Sequence, residues 1–227
     1  MIEKHIRTIR SFVKREGRLT TGQQLAIDTQ WPEYGVDYSA TRLNLTDIFK
    51  RDAHTVLEIG FGNGDSLFKM AQASPEKNFL GIEVHRPGVG RLLRLIENSD
   101  CKNIRVSNYD AIDVLKNQMA DNSIDRLQLF FPDPWHKKKH NKRRIVQEDF
   151  LIEVARILKP GGTFHLATDW EHYAKQMLST LNNSTLFTNC ATDNTYVEKP
   201  AERPTTKFET RGLKLGHGVW DLLFQKT

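Results

Sequence analysis

At 227 residues, with 38% hydrophobic and 27% charged, the chain fits a soluble globular enzyme with one sizeable core. It contains no low-complexity tract, no apolar run approaching a membrane span, and no signal-peptide core. The net charge of +5 is unevenly spread: residues 136–144 carry six Lys/Arg and no acid, residues 1–18 carry +4, and the rest of the chain sums to −5. Charge localised in this way captures phosphates and releases counterions, so nucleic acid is the favoured partner and an anionic membrane surface the rival. Cys101 and Cys190 lack metal or redox spacing, which points to a reducing compartment.

Ile2, Ile6, Ile9 and Val13 recur at helical spacing with Arg7, Arg10 and Lys14 off the stripe, which predicts a short basic amphipathic helix. Residues 1–50 read as a basic N-terminal extension and 51–227 as the main domain. The run from Trp31 to Gly35 is expected to pack that extension onto the domain. From about residue 53, strand and helix signals alternate. Strands are predicted from Thr55, from Asn78, from Asn103 and over 124–131, with helices over 66–73, through 91–96 and from Ala111. A helix over 148–158 should stop at Lys159-Pro160-Gly161-Gly162, followed by a fifth strand over 163–168, a helix over 171–181 and a closing strand from Val219. Regular alternation implies an α/β fold with a doubly wound, mostly parallel sheet and ligands at the carboxyl ends of its strands.

The first of those ends carries Glu58-Ile59-Gly60-Phe61-Gly62-Asn63-Gly64. A dinucleotide fingerprint would require glycine where Asp65 stands, and Glu58 and Asp65 would repel a pyrophosphate. A cationic cofactor would not be repelled. S-adenosylmethionine carries a sulfonium, an ammonium and two ribose hydroxyls. Glu83, ending the second strand, suits those hydroxyls, and Asp110, after the third, suits the adenine amine. The fourth strand runs into Phe131-Pro132-Asp133-Pro134-Trp135 and then the cationic segment ending at Arg144. Two prolines exclude helix and central strand, so Asp133 sits on a rigid loop beside phosphate-binding charge. His136 and His140 are four apart, but lysines surround them and no carboxylate accompanies them, so no metal is expected.

With E-x-G-x-G-x-G, G-I-E, Asp110 and L-K-P-G-G, the chain resembles class I S-adenosylmethionine-dependent methyltransferases. With the F-P-D-P-W segment, Gly17-Arg18, Thr168-Asp169 and Thr206-Lys207-Phe208-Glu209 added, it resembles bacterial tRNA (guanine-N7-)-methyltransferases over nearly its whole length. The resemblance implies a Rossmann-like, seven-stranded sheet, a cytoplasmic monomer or homodimer, and 7-methylguanosine in the tRNA variable loop as product. His136, where proline is often found, and Lys207, on the variable position of T-x-F-E, are departures.

Guanine N7 carries a lone pair and no proton, so its methylation calls for orientation and charge stabilisation rather than a general base. Asp133 is expected to orient guanine, stabilise the cation forming on it and border the cofactor, which Glu58, Gly60, Gly62, Glu83 and Asp110 would bind. Asp169, Thr206, Phe208 and Glu209 are expected at the base or ribose, with Lys207 a weaker candidate, and Lys137 at a phosphate or guanine O6. Lys139, His140, Asn141, Lys142, Arg143 and Arg144 are expected to grip the RNA backbone. Two other readings stay open: a class I methyltransferase acting on another RNA base or a small molecule, and a non-catalytic RNA-binding protein that kept the fold.

Overall fold

The computed structural model describes residues 17–206, 209–210 and 218–227. The helix expected over residues 2–13 and the expected contacts of Lys207 and Phe208 lie outside them. Strands β1 (Thr55–Ile59), β2 (Asn78–Ile82) and β3 (Ile104–Ser107) are buried at every position, as strands covered on both faces must be. Together with β4 (Ile124–Phe130), β5 (Leu158–Thr168), β6 (Phe187–Asn189) and β7 (Trp220–Lys226) they form one sheet of order β3-β2-β1-β4-β5-β7-β6. The first five are parallel, and β7 runs antiparallel between β5 and β6.

Alternate residues of each central strand feed opposite faces. Leu57 and Leu80 join one buried cluster, which includes residues of α6 (Glu148–Ile157) and α7 (Glu171–Asn182). Val56 and Phe79 join the other, with α3 (Asp65–Ala73) and α4 (Arg86–Glu97). Strand order reverses between β1 and β4, and this switch point opens a crevice outside the strand ends.

Helix α1 (Thr21–Tyr34) starts with a capping box between Thr20 and Gln23. It is tied to α4 by Gln23 Nε2 donating to the Pro87 carbonyl, and Gly35 bridges to Val106 at the sheet edge. Tyr34 is buried and Trp31 packs against the second cluster, which is the packing expected of this run. A short α2 (Leu45–Phe49) follows.

Two elements differ from expectation. The lysine-proline-glycine-glycine run ends α6 but lies inside β5, where the register against β4 shifts between Ile124 and Arg126. A bulge admits proline and glycine to a strand, and Lys159 is secured by its ammonium on Asp125 at 2.9 Å. The helix from Ala111, α5 (Ala111–Asp113), passes after three residues into a π-helical turn over Val114–Gln118.

Candidate active site

After β1 the chain turns through Gly60, Gly62 and Gly64, with φ of 74°, 59° and 77°. Residues with a side chain rarely adopt such angles, and glycine does so without strain. Glu83 fixes this turn: its Oε2 accepts from the Gly62 N–H and its Oε1 from the His85 N–H, both at 2.8 Å. One carboxylate thus ties the glycine loop to the start of α4. Burial raises the Glu83 pKa, and the two backbone donors oppose that rise. Asp110 caps α5 by accepting from the Ile112 N–H at 3.0 Å, and Tyr109 beside it stacks on Tyr38 with ring centroids 3.8 Å apart.

Glu58 lies behind the loop at 3% exposure. Its Oε2 has no hydrogen-bond partner among the described residues, and neither does Oε1 of Gln128, its register neighbour on β4. Burial, reinforced by the Glu83 carboxylate, pushes the Glu58 carboxyl up to about 8.

Across the switch point, Phe131 and Trp135 both have positive φ, at 52° and 47°, and they bracket Pro132-Asp133-Pro134. Strain of this kind persists only where surrounding contacts over-determine it. The Phe131 N–H donates to the Ala167 carbonyl at 2.7 Å, and the Pro134 carbonyl accepts from Arg144 Nε at 2.8 Å. Asp133 stands exposed between them. A cleft of about 750 Å³ brings Gly60, Glu83, Asp110, Asp133, Lys137 and His140 to one wall set. Glu58, Gly62, Asp169, Thr206 and Glu209 do not line it.

Arg203 was missed by sequence reasoning, and no spacing signal marks it. It is fully buried and donates to both Asp221 oxygens, at 2.7 and 2.9 Å, and to both Glu209 oxygens, at 2.8 and 3.2 Å. Its guanidinium also lies over the rings of Phe130 and Phe131, just before Asp133. Glu209 further accepts from Lys199 and from the Thr206 N–H, while Thr206 Oγ1 accepts from the Glu209 N–H. Burial alone would raise the Glu209 pKa, but Arg203 and Lys199 outweigh it and hold the carboxyl low. Asp221 behaves likewise: burial is overcome by hydrogen bonds from His165 and Arg203. Glu209, expected at the base or ribose, is in this structure an internal anchor, buried and outside the cleft lining. Asp169 follows β5 at half-burial, where Thr168 Oγ1 accepts from the Trp170 N–H.

The cationic run forms a 3-10 helix over Lys138–Arg143 with Lys137, Lys138, Lys139 and Lys142 exposed. Arg143 covers Trp135, its guanidinium 5.0 Å from the ring centroid, and His140 meets the same ring edge-on. Slight burial followed by Arg143 and Lys139 lowers the His140 pKa. Asn141 is half-buried, and its Oδ1 has no partner among the described residues. Arg144 corrects the expected RNA grip. It is 2% exposed, and its guanidinium donates to Pro134 and Gln176 and covers the Tyr173 ring, so it cannot reach a phosphate from this position.

The sheet order and the glycine turn define a class I methyltransferase fold. The structure is similar to that of the 16S rRNA methyltransferase KamB, with a TM-score of 0.59 at 13% identity over 81% of this chain and 92% of that one. TrmN from Thermus thermophilus matches with a TM-score of 0.53 at 17% identity, over 90% of this chain and 48% of the other. A family model described as a putative methyltransferase matches residues 52–222. The tRNA (guanine-N(7)-)-methyltransferase of Shewanella sp. MR-4 is 58% identical over 223 residues, covering 98% of this chain and 94% of the relative. That of Shewanella frigidimarina is 56% identical over 224 residues, covering 99% and 94%. The chain belongs to the tRNA (guanine-N(7)-)-methyltransferase family.

Proposed function

We propose that the protein transfers a methyl group from S-adenosylmethionine to N7 of a guanosine in the variable loop of tRNA, in the cytoplasm. The observation that carries this reading is Asp133, exposed on a doubly proline-bounded loop at the rim of the cleft that Gly60, Glu83 and Asp110 also line.

The residues present fit the cofactor. Glu83 keeps a lone pair on each oxygen beyond its two backbone bonds, which suits a ribose diol. Glu58, whose Oε2 has no partner among the described residues, lies behind the loop, where an approaching cation would favour its ionised form. Gly60 and Gly62 present open backbone, since a Cβ there would meet nothing within 4 Å. When bound, the cofactor supplies an electrophilic methyl on a sulfonium.

The chain's own residues do the remaining work. Asp133 accepts from guanine N1–H and its exocyclic amine, a donor pair adenine lacks. It also stabilises the positive charge that develops on the ring. Asp169 and Thr206 contribute to base or ribose recognition, Lys137 meets a phosphate or O6, and the exposed lysines with Arg143 hold the backbone. A variable-loop base is not free in folded tRNA, so local opening precedes transfer.

Asp133→Asn tests this directly. The fold and cofactor affinity should persist while single-turnover methylation falls by roughly two to three orders of magnitude. Nucleoside analysis identifies the product. Wild-type product other than 7-methylguanosine, or a near wild-type rate for the variant, removes the reading.

A further inference from the structure

The loop that presents Asp133 has an unusual anchoring problem. Pro132 and Pro134 have no N–H, so this stretch has few backbone donors with which to fasten itself to the domain. Its upstream end is fastened through the Phe131 N–H on β5. Its downstream end offers a carbonyl, that of Pro134, which requires a donor from elsewhere. Arg144 supplies it.

The Arg144 side chain turns inward from the end of the cationic run. Nε donates to the Pro134 carbonyl at 2.8 Å, and Nη1 donates to Gln176 Oε1 on α7 at 2.6 Å and contacts His172 Nδ1 at 3.0 Å. The guanidinium carbon lies 4.7 Å from the centroid of Tyr173, also on α7. Val146 secures the same junction: its N–H donates to Tyr173 Oη, and its carbonyl accepts from Gln176. One planar cation therefore connects the carbonyl adjacent to Asp133 with His172, Tyr173 and Gln176 on one side of a helix rooted in the core. Lysine could not reproduce this, because it has neither the forked donor geometry nor the flat face that stacks on tyrosine.

We propose that Arg144 is a positioning residue for methyl transfer. It holds the Pro132-Asp133-Pro134 loop on α7 and makes no contact with tRNA phosphate. The inference rests on the role proposed for Asp133. Its neighbours in sequence stay at the surface: Lys142 is exposed, and Arg143 lies over Trp135 at the edge of the RNA surface proposed above. The division within this one run follows burial: Lys142 is exposed and Arg143 half-buried, whereas Arg144 is buried.

The test compares Arg144→Lys with Arg143→Ala and Lys142→Ala in the full chain, at a temperature where circular dichroism shows all of them folded. Arg144→Lys should lower the single-turnover rate at saturating tRNA by about 10- to 100-fold, the scale on which misplacing a catalytic group acts. Its cofactor affinity and the slope of log K for tRNA against log salt should match wild type. The two surface variants should differ in the salt readout, losing slope by about one unit or slightly less each. Hydrogen exchange followed by mass spectrometry provides a readout independent of activity: exchange in peptides spanning residues 131–136 should quicken in Arg144→Lys while β1 and β2 stay protected. A wild-type rate for Arg144→Lys, a reduced salt slope, or unchanged exchange over residues 131–136 overturns the proposal. If wild type yields no 7-methylguanosine, the proposed function fails, and the exchange result still decides whether Arg144 fastens the loop.

Discussion

Replacing Glu58 with glutamine should make the cofactor-free protein more stable above pH 7 and the cofactor bind less well. In the folded chain burial, aided by Glu83, raises the carboxyl to about 8, whereas an unfolded chain ionises it near 4.5. A raised acid contributes stability that is complete below its unfolded pKa and lost as pH climbs to its folded pKa. At pH 7 the folded state holds a proton that the unfolded state has released. Over those 2.5 units the group costs about 3 kcal/mol, rising to about 5 kcal/mol above pH 8. A proton on Glu58 also turns one of two neighbouring acceptors without partners among the described residues, Glu58 Oε2 and Gln128 Oε1, into a donor.

Glutamine removes the titration but brings an amide N–H₂ that must find partners, an offset of about 1–3 kcal/mol. The net gain is therefore about 0–2 kcal/mol at pH 7, about 2–4 kcal/mol toward pH 8.5, and it should reverse near pH 5, where the titration costs about 1 kcal/mol or less. Urea unfolding of both proteins at pH 5, 7 and 8.5 measures it, and the pH dependence of the difference matters more than its size. Calorimetric titration with S-adenosylmethionine at pH 8.5, where the Glu58 carboxyl is ionised, should meanwhile show affinity at least tenfold weaker for the variant, and the gap should narrow as pH falls and Glu58 takes up its proton. Parallel stability profiles for the two proteins would show that Glu58 is already ionised in the free fold and would refute the reasoning.

Glu83→Ala should weaken cofactor binding by roughly 1.5–3 kcal/mol, the scale of hydrogen bonds to a charged group, and it also releases the Gly62 and His85 N–H groups. Calorimetry giving wild-type affinity would remove Glu83 from the ribose site. Arg203→Met should destabilise the fold by about 3–5 kcal/mol, since it leaves Asp221 and Glu209 buried opposite no guanidinium. The loss should be greatest above pH 6 and smaller at pH 4–5, where carboxylates left without Arg203 take up protons. Denaturation midpoints that do not vary in this way would mean that Lys199 and His165 suffice to balance the pair.

The alternation of strand and helix was legible in the sequence because each central strand is a short apolar run between turn residues, and that pattern survives without tertiary information. The glycine turn, Glu83 at one strand end and Asp110 after the next were legible for the same reason: a doubly wound sheet collects its strand ends on one edge. Local pattern could not reveal the strand start at Leu158, because the bulge is created by pairing with Ile124. Nor could it reveal β6, whose three residues exist as a strand only against β7. The sharpest division falls in the cationic run. Composition makes Lys142, Arg143 and Arg144 equivalent, and each reads as a phosphate contact. Only the approach of α7 to the proline loop decides that Arg144 points inward onto Pro134 and Tyr173. Arg203 is the same case, an arginine whose partners lie on β7 and on the turn at Glu209. Charge is a property of the residue and can be read from sequence. Whether it meets water, a phosphate or a buried carboxylate depends on which segments the fold brings beside it.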